Sequence, residues 1–119
     1  MKRVRFIVHS WRQILLLDFS HSSTDEAIKI IDEAIEVIRS QPESSLLIVS
    51  DVTGAKYDLK VIEKFKEITS GNKPYVKASA VVGLDELQKV VYNAATLFSK
   101  RTLPLFDDIE KAKDWLIEQ

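Results

Sequence analysis

The stretch "LLIVSDVTGAKYDLKV", from Leu46 to Val61, changes its apolar pattern part-way along, and this change indicates the fold. Its first part, Leu46 to Val52, is a short apolar run with β-branched residues, as is typical of a strand covered on both faces. A small polar loop follows, and from Leu59 onward apolar residues recur at helical spacing. A buried strand that leads through a loop into an amphipathic helix predicts a crossover between parallel strands.

The same alternation extends on both sides of this stretch. Further strands are predicted over residues 4–8, 12–19, 78–82 and 103–106, and further helices over residues 24–39, from 85 to about 100, and from 109 onward. The order β-β-α-β-α-β-α-β-α predicts a single α/β domain over residues 1–119. We expect a mostly parallel central sheet of about five strands, with an antiparallel N-terminal edge strand and four helices.

Local signals set the ends and faces of these elements. Ser23 and Glu26 have the spacing of a capping box at the start of the first helix, and Asp107 and Glu110 repeat it before the last one. Asp58 is predicted at the N-terminus of the second helix, and Asp85 at the N-terminus of the third. The inward face of the second helix is predicted from its spacing as Leu59, Ile62, Phe65 and Ile68, with Val61 beside it. An edge strand with one better-buried face is predicted from the alternation of Val4, Phe6 and Val8 with Arg3, Arg5 and Ile7. Ser10 and Trp11 are predicted to form the turn between this strand and the second.

Composition narrows the class of function. Lys and Arg number 17 against 18 Asp and Glu, so the formal charge is -1 and the chain has no basic field for nucleic acid. It has no cysteine, and its two histidines have no metal-site spacing, so we expect no metal and no cofactor. The longest apolar run near the N-terminus, Ile14 to Leu17, is far shorter than a membrane span. We expect a cytoplasmic protein without a membrane span.

Four segments carry a family resemblance: "ILLLDFS", "VSDVTGAKYD", "YVKASAVVG" and "TLPLFDDIEKAKDWL". Together with the order of elements, they are similar to the SpoIIAA-like family of small bacterial and archaeal proteins, which is related in fold to STAS domains and anti-sigma-factor antagonists. The resemblance covers nearly the whole chain. It implies a SpoIIAA-like fold and a binding function, since relatives of this fold bind proteins and lipids.

The loop after the central strand departs from the antagonists at one decisive point. Asp51, Val52, Thr53 and Gly54 resemble the start of their loop "DLSGVTFMDSSG", but where "DSSG" would follow, this chain reads Asp58-Leu59-Lys60-Val61. A kinase needs a hydroxyl at that place, and none is present. We therefore expect a non-enzymatic binding or regulatory domain that lacks the phosphoacceptor serine. Thr53 is the hydroxyl left inside the turn.

Candidate binding residues follow from the rule that ligands lie beyond the carboxyl ends of parallel strands, near helix N-termini. The predicted contact residues come from the loops after the second and third strands: Ser20, His21, Ser22, Ser23, Asp51, Thr53 and Tyr57. For the cluster from Ser20 to Thr24, ordinary capping chemistry in an exposed polar loop is the favoured explanation, because helix caps require Ser, Thr and Asp. The expected partner is a protein or a small anionic or amphipathic ligand.

Three alternatives remain open from the sequence. One is an enzyme that uses His21 with Asp18 or Asp51 as an acid/base pair. A second is a receiver-like acidic pocket, in which Asp18 and Asp51 hold a divalent ion; the chain has Phe106 and Asp107 where a receiver needs a lysine. The third is a homodimer module, with the first, edge strand or an exposed helix face as its seam.

Overall fold

The fold is a five-stranded mixed sheet with helices on both faces. The structure, a computed structural model, describes residues 2–85, 88, 89, 92, 93 and 103–119. The strands are β1 (Val4–His9), β2 (Arg12–Asp18), β3 (Leu46–Asp51), β4 (Val76–Val82) and β5 (Leu105–Phe106), and the described helices are α1 (Thr24–Arg39), α2 (Leu59–Gly71) and α3 (Ile109–Ile117), with a 3-10 turn at Lys73–Tyr75. The strand order is β1-β2-β3-β4-β5. β1 is antiparallel to β2 and all later pairs are parallel, which confirms the predicted mixed α/β sheet.

The two faces of the sheet form separate apolar cores because side chains alternate along each strand. Leu15 and Leu17 of β2 pack with α1 and α2 on one face. Ile14 and Leu16 pack with α3 on the other. All four side chains are buried, as the continuous apolar run of β2 predicts. Burial of each such side chain stabilises the fold by about 2 kcal/mol, so the sheet is held from both sides.

Helix α1 begins and ends where its sequence predicts. The Ser23 hydroxyl accepts a hydrogen bond from Glu26 N, and Glu26 Oε1 accepts one from Ser23 N, so the capping box is complete. Ala27, Ile31, Ala34 and Ile38 are buried at helical spacing. The helix ends at Arg39, just before the Gln41-Pro42 pair that cannot continue it.

The predicted inward face of α2 is confirmed at Phe65 and Ile68 but is wrong at its start. Leu59 is 75% exposed, while Val61, Phe65 and Ile68 face the core. Asp58 is the N-cap, as predicted, and its Oδ1 accepts from Val61 N at 2.9 Å. Two apolar stripes overlap in this short helix, and the stripe through Val61 faces the core because it continues to Ile68 and the buried Asn72.

The starts of the last two predicted helices have different outcomes. The predicted helix from 85 to about 100 lies mostly outside the described residues. Its predicted N-cap is confirmed, since Asp85 Oδ1 accepts from Gln88 N at 2.7 Å and Gln88 Oε1 accepts from Asp85 N at 3.0 Å. For α3 the prediction was wrong by one residue, because Asp108 and not Asp107 caps the helix by accepting from Glu110 N.

The bounds of the last two strands also differ slightly from the prediction. β4 begins at Val76, two residues before the predicted 78, and β5 contains only Leu105 and Phe106 of the predicted 103–106. Leu103 is buried beside the strand but lies outside its ladder.

The edge strand β1 is less covered than its alternation suggests. Val4 is buried, but Phe6 is 38% and Val8 74% exposed although they point to the same face. The helical layer covers only the Val4 end of β1, where this residue joins the core formed with α1 and α2. The prediction of one buried face therefore holds at Val4 and fails at Phe6 and Val8.

The β1–β2 turn is strained, and we expect Trp11→Gly to stabilise the protein by about 1 kcal/mol. Ser10 and Trp11 have φ angles of 48° and 71°, as a two-residue type I′ turn requires, and Trp11 is 98% exposed. Glycine adopts positive φ without the Cβ clash, and little packing is lost. Thermal unfolding should show a rise of a few degrees in Tm. Trp11→Ala is the control, because alanine keeps the strain; an equal rise for both variants would contradict the strain account.

Candidate functional site at the carboxyl ends of the strands

The ends of the parallel strands lie in one row. Asp18 pairs with Asp51, Asp51 with Val82, and Val82 with Phe106 across the sheet. The four loops that follow β2 to β5 therefore begin side by side at the same edge. This is the arrangement in which α/β proteins bind ligands, and it gathers the loops that the sequence nominates.

The Asp18 side chain is held by its own loop. Its Oδ1 accepts from the hydroxyl and the N–H of Ser20, at 2.5 and 3.0 Å. Partial burial on its own raises the pKa of the Asp18 carboxyl, but these hydrogen bonds and the nearby Arg3 and Arg5 outweigh it and lower the pKa below its ordinary value. Arg3 also donates to the carbonyl of Ser20 at 2.7 Å. Asp18 is thus an ionised carboxylate that orders the loop.

The loops after β2 and β3 are joined through their backbones. His21 N donates to Thr53 O at 2.8 Å, and Lys56 N donates to Ser22 O at 3.0 Å. The His21 ring lies against Gly54, so closely that a Cβ at this glycine would overlap it. Gly54 has φ +65° and His21 has φ 53°. The two loops therefore form one rigid unit.

Asp51 repeats the local chemistry of Asp18. Its Oδ1 accepts from the N–H and the hydroxyl of Thr53, at 3.1 and 2.8 Å. Behind Thr53 lies Gly83, with φ +87°, whose backbone approaches Thr53 so closely that a Cβ would overlap it. The third loop is therefore packed onto the second, and the Thr53 hydroxyl is bonded to Asp51.

The structure thus brings the predicted contact residues together but gives them different surroundings. Ser23 is the N-cap of α1 and His21 is exposed. Ser22 is fully buried, and its hydroxyl has no hydrogen-bond partner in the described part of the chain. Tyr57 is 37% exposed and lines an apolar cavity that none of the other six predicted residues lines.

That cavity is an apolar cleft between α1, α2 and the loop after β3. Its cavity volume is about 60 Å³. Its floor and walls are almost entirely carbon: Phe19, Ala27, Ile31, Val52, Ala55, Tyr57, Val61, Phe65, Val81, Leu84 and Tyr92. The polar residues that line it are Lys56 and Gln88. Sequence reasoning missed the cleft because it depends on how far apart neighbouring elements lie.

Gln88 closes one wall of the cleft. It is 5% exposed, and its Nε2 donates to the carbonyls of Val52 and Ala55 at 3.0 and 2.9 Å. Its Oε1 accepts from Asp85 N. The side chain thereby connects the loop after β3 to the segment after β4. The capping-box spacing of Asp85 and Gln88 is the sequence signal that could have identified this residue.

A second cavity continues from the apolar cleft, with Phe19, Phe65 and Val81 lining both. Its cavity volume is about 40 Å³, and its more polar lining includes Ser50, Ser79 and Asn72. Asn72 Oδ1 accepts from Arg39 Nε at 3.0 Å, while its Nδ2 is buried without a partner among the described residues. Together the two cavities extend along the sheet beneath α2.

A metal-ligating cluster and a membrane-spanning helix are both absent from the described ranges. These residues contain no group of three or more His, Asp or Glu side chains that could hold a metal ion. None of the described helices is both long and apolar enough to cross a bilayer.

Comparison with known proteins identifies the fold. No family model matches the chain, and no curated protein matches it. Among solved structures, a protein of the DUF3478 family from Shewanella loihica, described as uncharacterised and as having a SpoIIAA-like fold, aligns with a TM-score of 0.72. The alignment covers 95% of this chain and 91% of that one, at 16% identity. The fold is therefore SpoIIAA-like.

The SpoIIAA-like fold confirms the resemblance that the sequence indicates, at the level of architecture. At 16% identity it says nothing about activity, so function must be argued from this chain's own side chains. At the carboxyl ends of the strands, hydrogen bonds join the loops, and the carboxylates of Asp18 and Asp51 each accept hydrogen bonds from their own loop. An apolar cleft lies beside these loops.

Proposed function

We propose that this protein is a non-enzymatic binding domain whose apolar cleft holds the tail of a small amphipathic anion, such as a fatty acid. One observation carries the proposal: an almost wholly apolar cavity opens at the edge of the sheet where this class of fold binds ligands. Apolar walls that are open to water are costly, and a hydrocarbon chain would cover them. Each methylene group buried there contributes about 0.8 kcal/mol.

Lys56 supplies the reason for an anionic head group. It lines the cleft, and its side chain is exposed. No ion pair joins it to another described residue. A carboxylate at the mouth of the cleft would gain a charge-assisted hydrogen bond from this ammonium group while the tail lies inside. The remaining described lining residues carry no charge.

The local bonding of the acidic residues supports a non-enzymatic role. Asp18 has a lowered pKa, whereas a general acid working near neutral pH needs a raised one. Asp51 is engaged with Thr53. Neither carboxylate nor His21 lines the apolar cleft or the second cavity beside it. These observations weigh against the acid/base alternative.

A protein partner is the second candidate, and one observation favours it. Tyr57 and Leu59 are both partly or largely exposed beside the cleft, which gives the start of α2 an apolar surface. Such aromatic and aliphatic side chains are typical anchors of protein interfaces. A partner that inserts an apolar side chain into the cleft would compete with a small ligand for the same residues.

We expect a medium-chain fatty acid to raise the melting temperature, and Lys56→Gln to weaken its binding about five- to tenfold. The loss corresponds to the roughly 1 kcal/mol of a partly exposed charged hydrogen bond. Isothermal titration of the full chain measures it. Lys60→Gln is the matched control, because Lys60 is exposed on α2 outside the cleft lining and should leave affinity unchanged.

Two further comparisons locate the ligand. The fatty alcohol of equal length should bind the wild-type protein more weakly than the acid does. In the Lys56→Gln variant the acid and the alcohol should bind with equal affinity. Ala55→Phe, which fills the cleft from its wall, should abolish binding of both. If neither acid nor alcohol shifts the melting temperature while a pull-down recovers one stable protein, the small-ligand proposal is wrong and the partner is a protein.

A further inference from the structure

The outer edge of the sheet is formed by β1, which is unpaired on that side within the described residues. Asp18 N donates to Arg3 O, so these two residues form a hydrogen-bonded pair. Because such pairs alternate along antiparallel strands, the N–H and C=O groups of Val4, Phe6 and Val8 point away from β2. Three residues in a row thus present open backbone groups.

The side chains at this edge are unusual for a strand that faces water. Phe6 and Val8 are the exposed apolar residues described above, and they lie on the same face as Val4. An apolar edge strand with open hydrogen-bonding groups is a template for another strand. A second strand laid along β1 would satisfy the backbone and cover both side chains.

The charges beside β1 indicate what that strand is. Lys2, Arg3 and Arg5 lie at its start, while Glu110 and Asp114 of α3 lie at its end. His9 Nε2 is 2.7 Å from Asp114 Oδ1, which places these carboxylates at the edge. An antiparallel second copy would set the basic start of each β1 against the acidic end of the other. The edge is therefore complementary to itself.

We propose that two copies of this chain pair through β1 about a two-fold axis at Phe6. In this register Phe6 lies opposite Phe6 of the second copy, and Val4 lies opposite its Val8. Every outward-facing backbone group of the three residues is then paired, and the contact is isologous. The apolar cleft lies between α1 and α2, away from this edge, so the proposal does not depend on the ligand.

A cysteine at the axis tests the register, because the chain has none of its own. Two Cα atoms in a hydrogen-bonded antiparallel pair are about 5.5 Å apart, within the disulfide range. We expect Phe6→Cys to form a covalent dimer under mild oxidation. In the same register, the two copies of Val8 are roughly 13 Å apart, so Val8→Cys should not, although Val8 is the more exposed. Equal or faster cross-linking of Val8→Cys would overturn the proposal.

Light scattering on the unmodified chain provides the second test. We expect a particle of about twice 13.6 kDa at tens of micromolar. Val8→Pro removes an outward N–H without removing a β1–β2 hydrogen bond, and it should give a folded monomer, with folding checked by circular dichroism. Val8→Ala keeps the N–H and should remain dimeric. A monomeric wild-type protein, or a dimer that Val8→Pro leaves intact, would show that the edge is not the seam.

Discussion

Gly83→Ala is expected to lower the free energy of unfolding by about 3 kcal/mol. Gly83 has φ +87°, where an L-residue with a Cβ carries a cost of roughly 1–2 kcal/mol. The new methyl group would also meet the Cα and side chain of Thr53, and overpacking of this kind costs about 1–3 kcal/mol. The Thr53 backbone cannot move away easily, since its carbonyl accepts from His21 N.

Gly71, which lies in α2, provides a matched control. A Cβ at Gly71 would meet only the end of the flexible Arg39 side chain, and Gly71 lies in the last turn of α2 without a positive φ. Gly71→Ala should therefore be neutral or slightly stabilising, by up to about 1 kcal/mol. Urea unfolding of both variants measures the difference. Equal stability of the two would show that the third loop is not packed onto Thr53 as described.

The sequence predicts α1 better than any other element because its signals agree. Its apolar period, the Ser23–Glu26 capping box and Pro42 all indicate the same bounds. In α2 the signals conflict, since Leu59 and Val61 each begin an apolar stripe, and only tertiary packing selects Val61. At Phe6 and Val8 the alternation correctly predicts a strand, but it cannot show that none of the described helices covers their side chains.

The candidate site divides in the same way. The alignment of Asp18 and Asp51 follows from parallel strands and could be predicted. The apposition of His21 and Gly54 could not, because it joins loops that are distant in sequence through two positive φ angles. The cleft depends on distances between helices, which no local pattern encodes. The sequence therefore indicates where a ligand would bind, while the kind of ligand is argued from the packing.

Gln88→Leu is expected to lower the free energy of unfolding by about 2–3 kcal/mol, although it replaces a buried polar side chain with an apolar one of similar size. The Gln88 amide donates to Ala55 O, which has no other donor among the described hydrogen bonds. It also donates to Val52 O, which accepts a second hydrogen bond from Ala55 N. Its loss leaves the Ala55 carbonyl without its partner beside an apolar cleft, and such a group costs about 1–3 kcal/mol. The Asp85 N–H loses its acceptor as well.

A comparison of Gln88→Leu with Gln88→Glu tests whether this effect arises from the lost donor. At neutral pH the glutamate would be ionised and would repel both carbonyls, so we expect at least as large a loss. Burial and the facing carbonyls would raise the pKa of this carboxyl in the folded state above the roughly 4.3 of an unfolded chain. The stability of Gln88→Glu relative to Gln88→Leu should therefore rise as the pH falls from the raised folded-state pKa toward the unfolded-state pKa, because only the protonated carboxyl donates. Gln13→Leu, at an exposed position, controls for the added apolar surface. If both Gln88 variants respond alike to acid, donation to the loop after β3 does not hold the cleft wall in place.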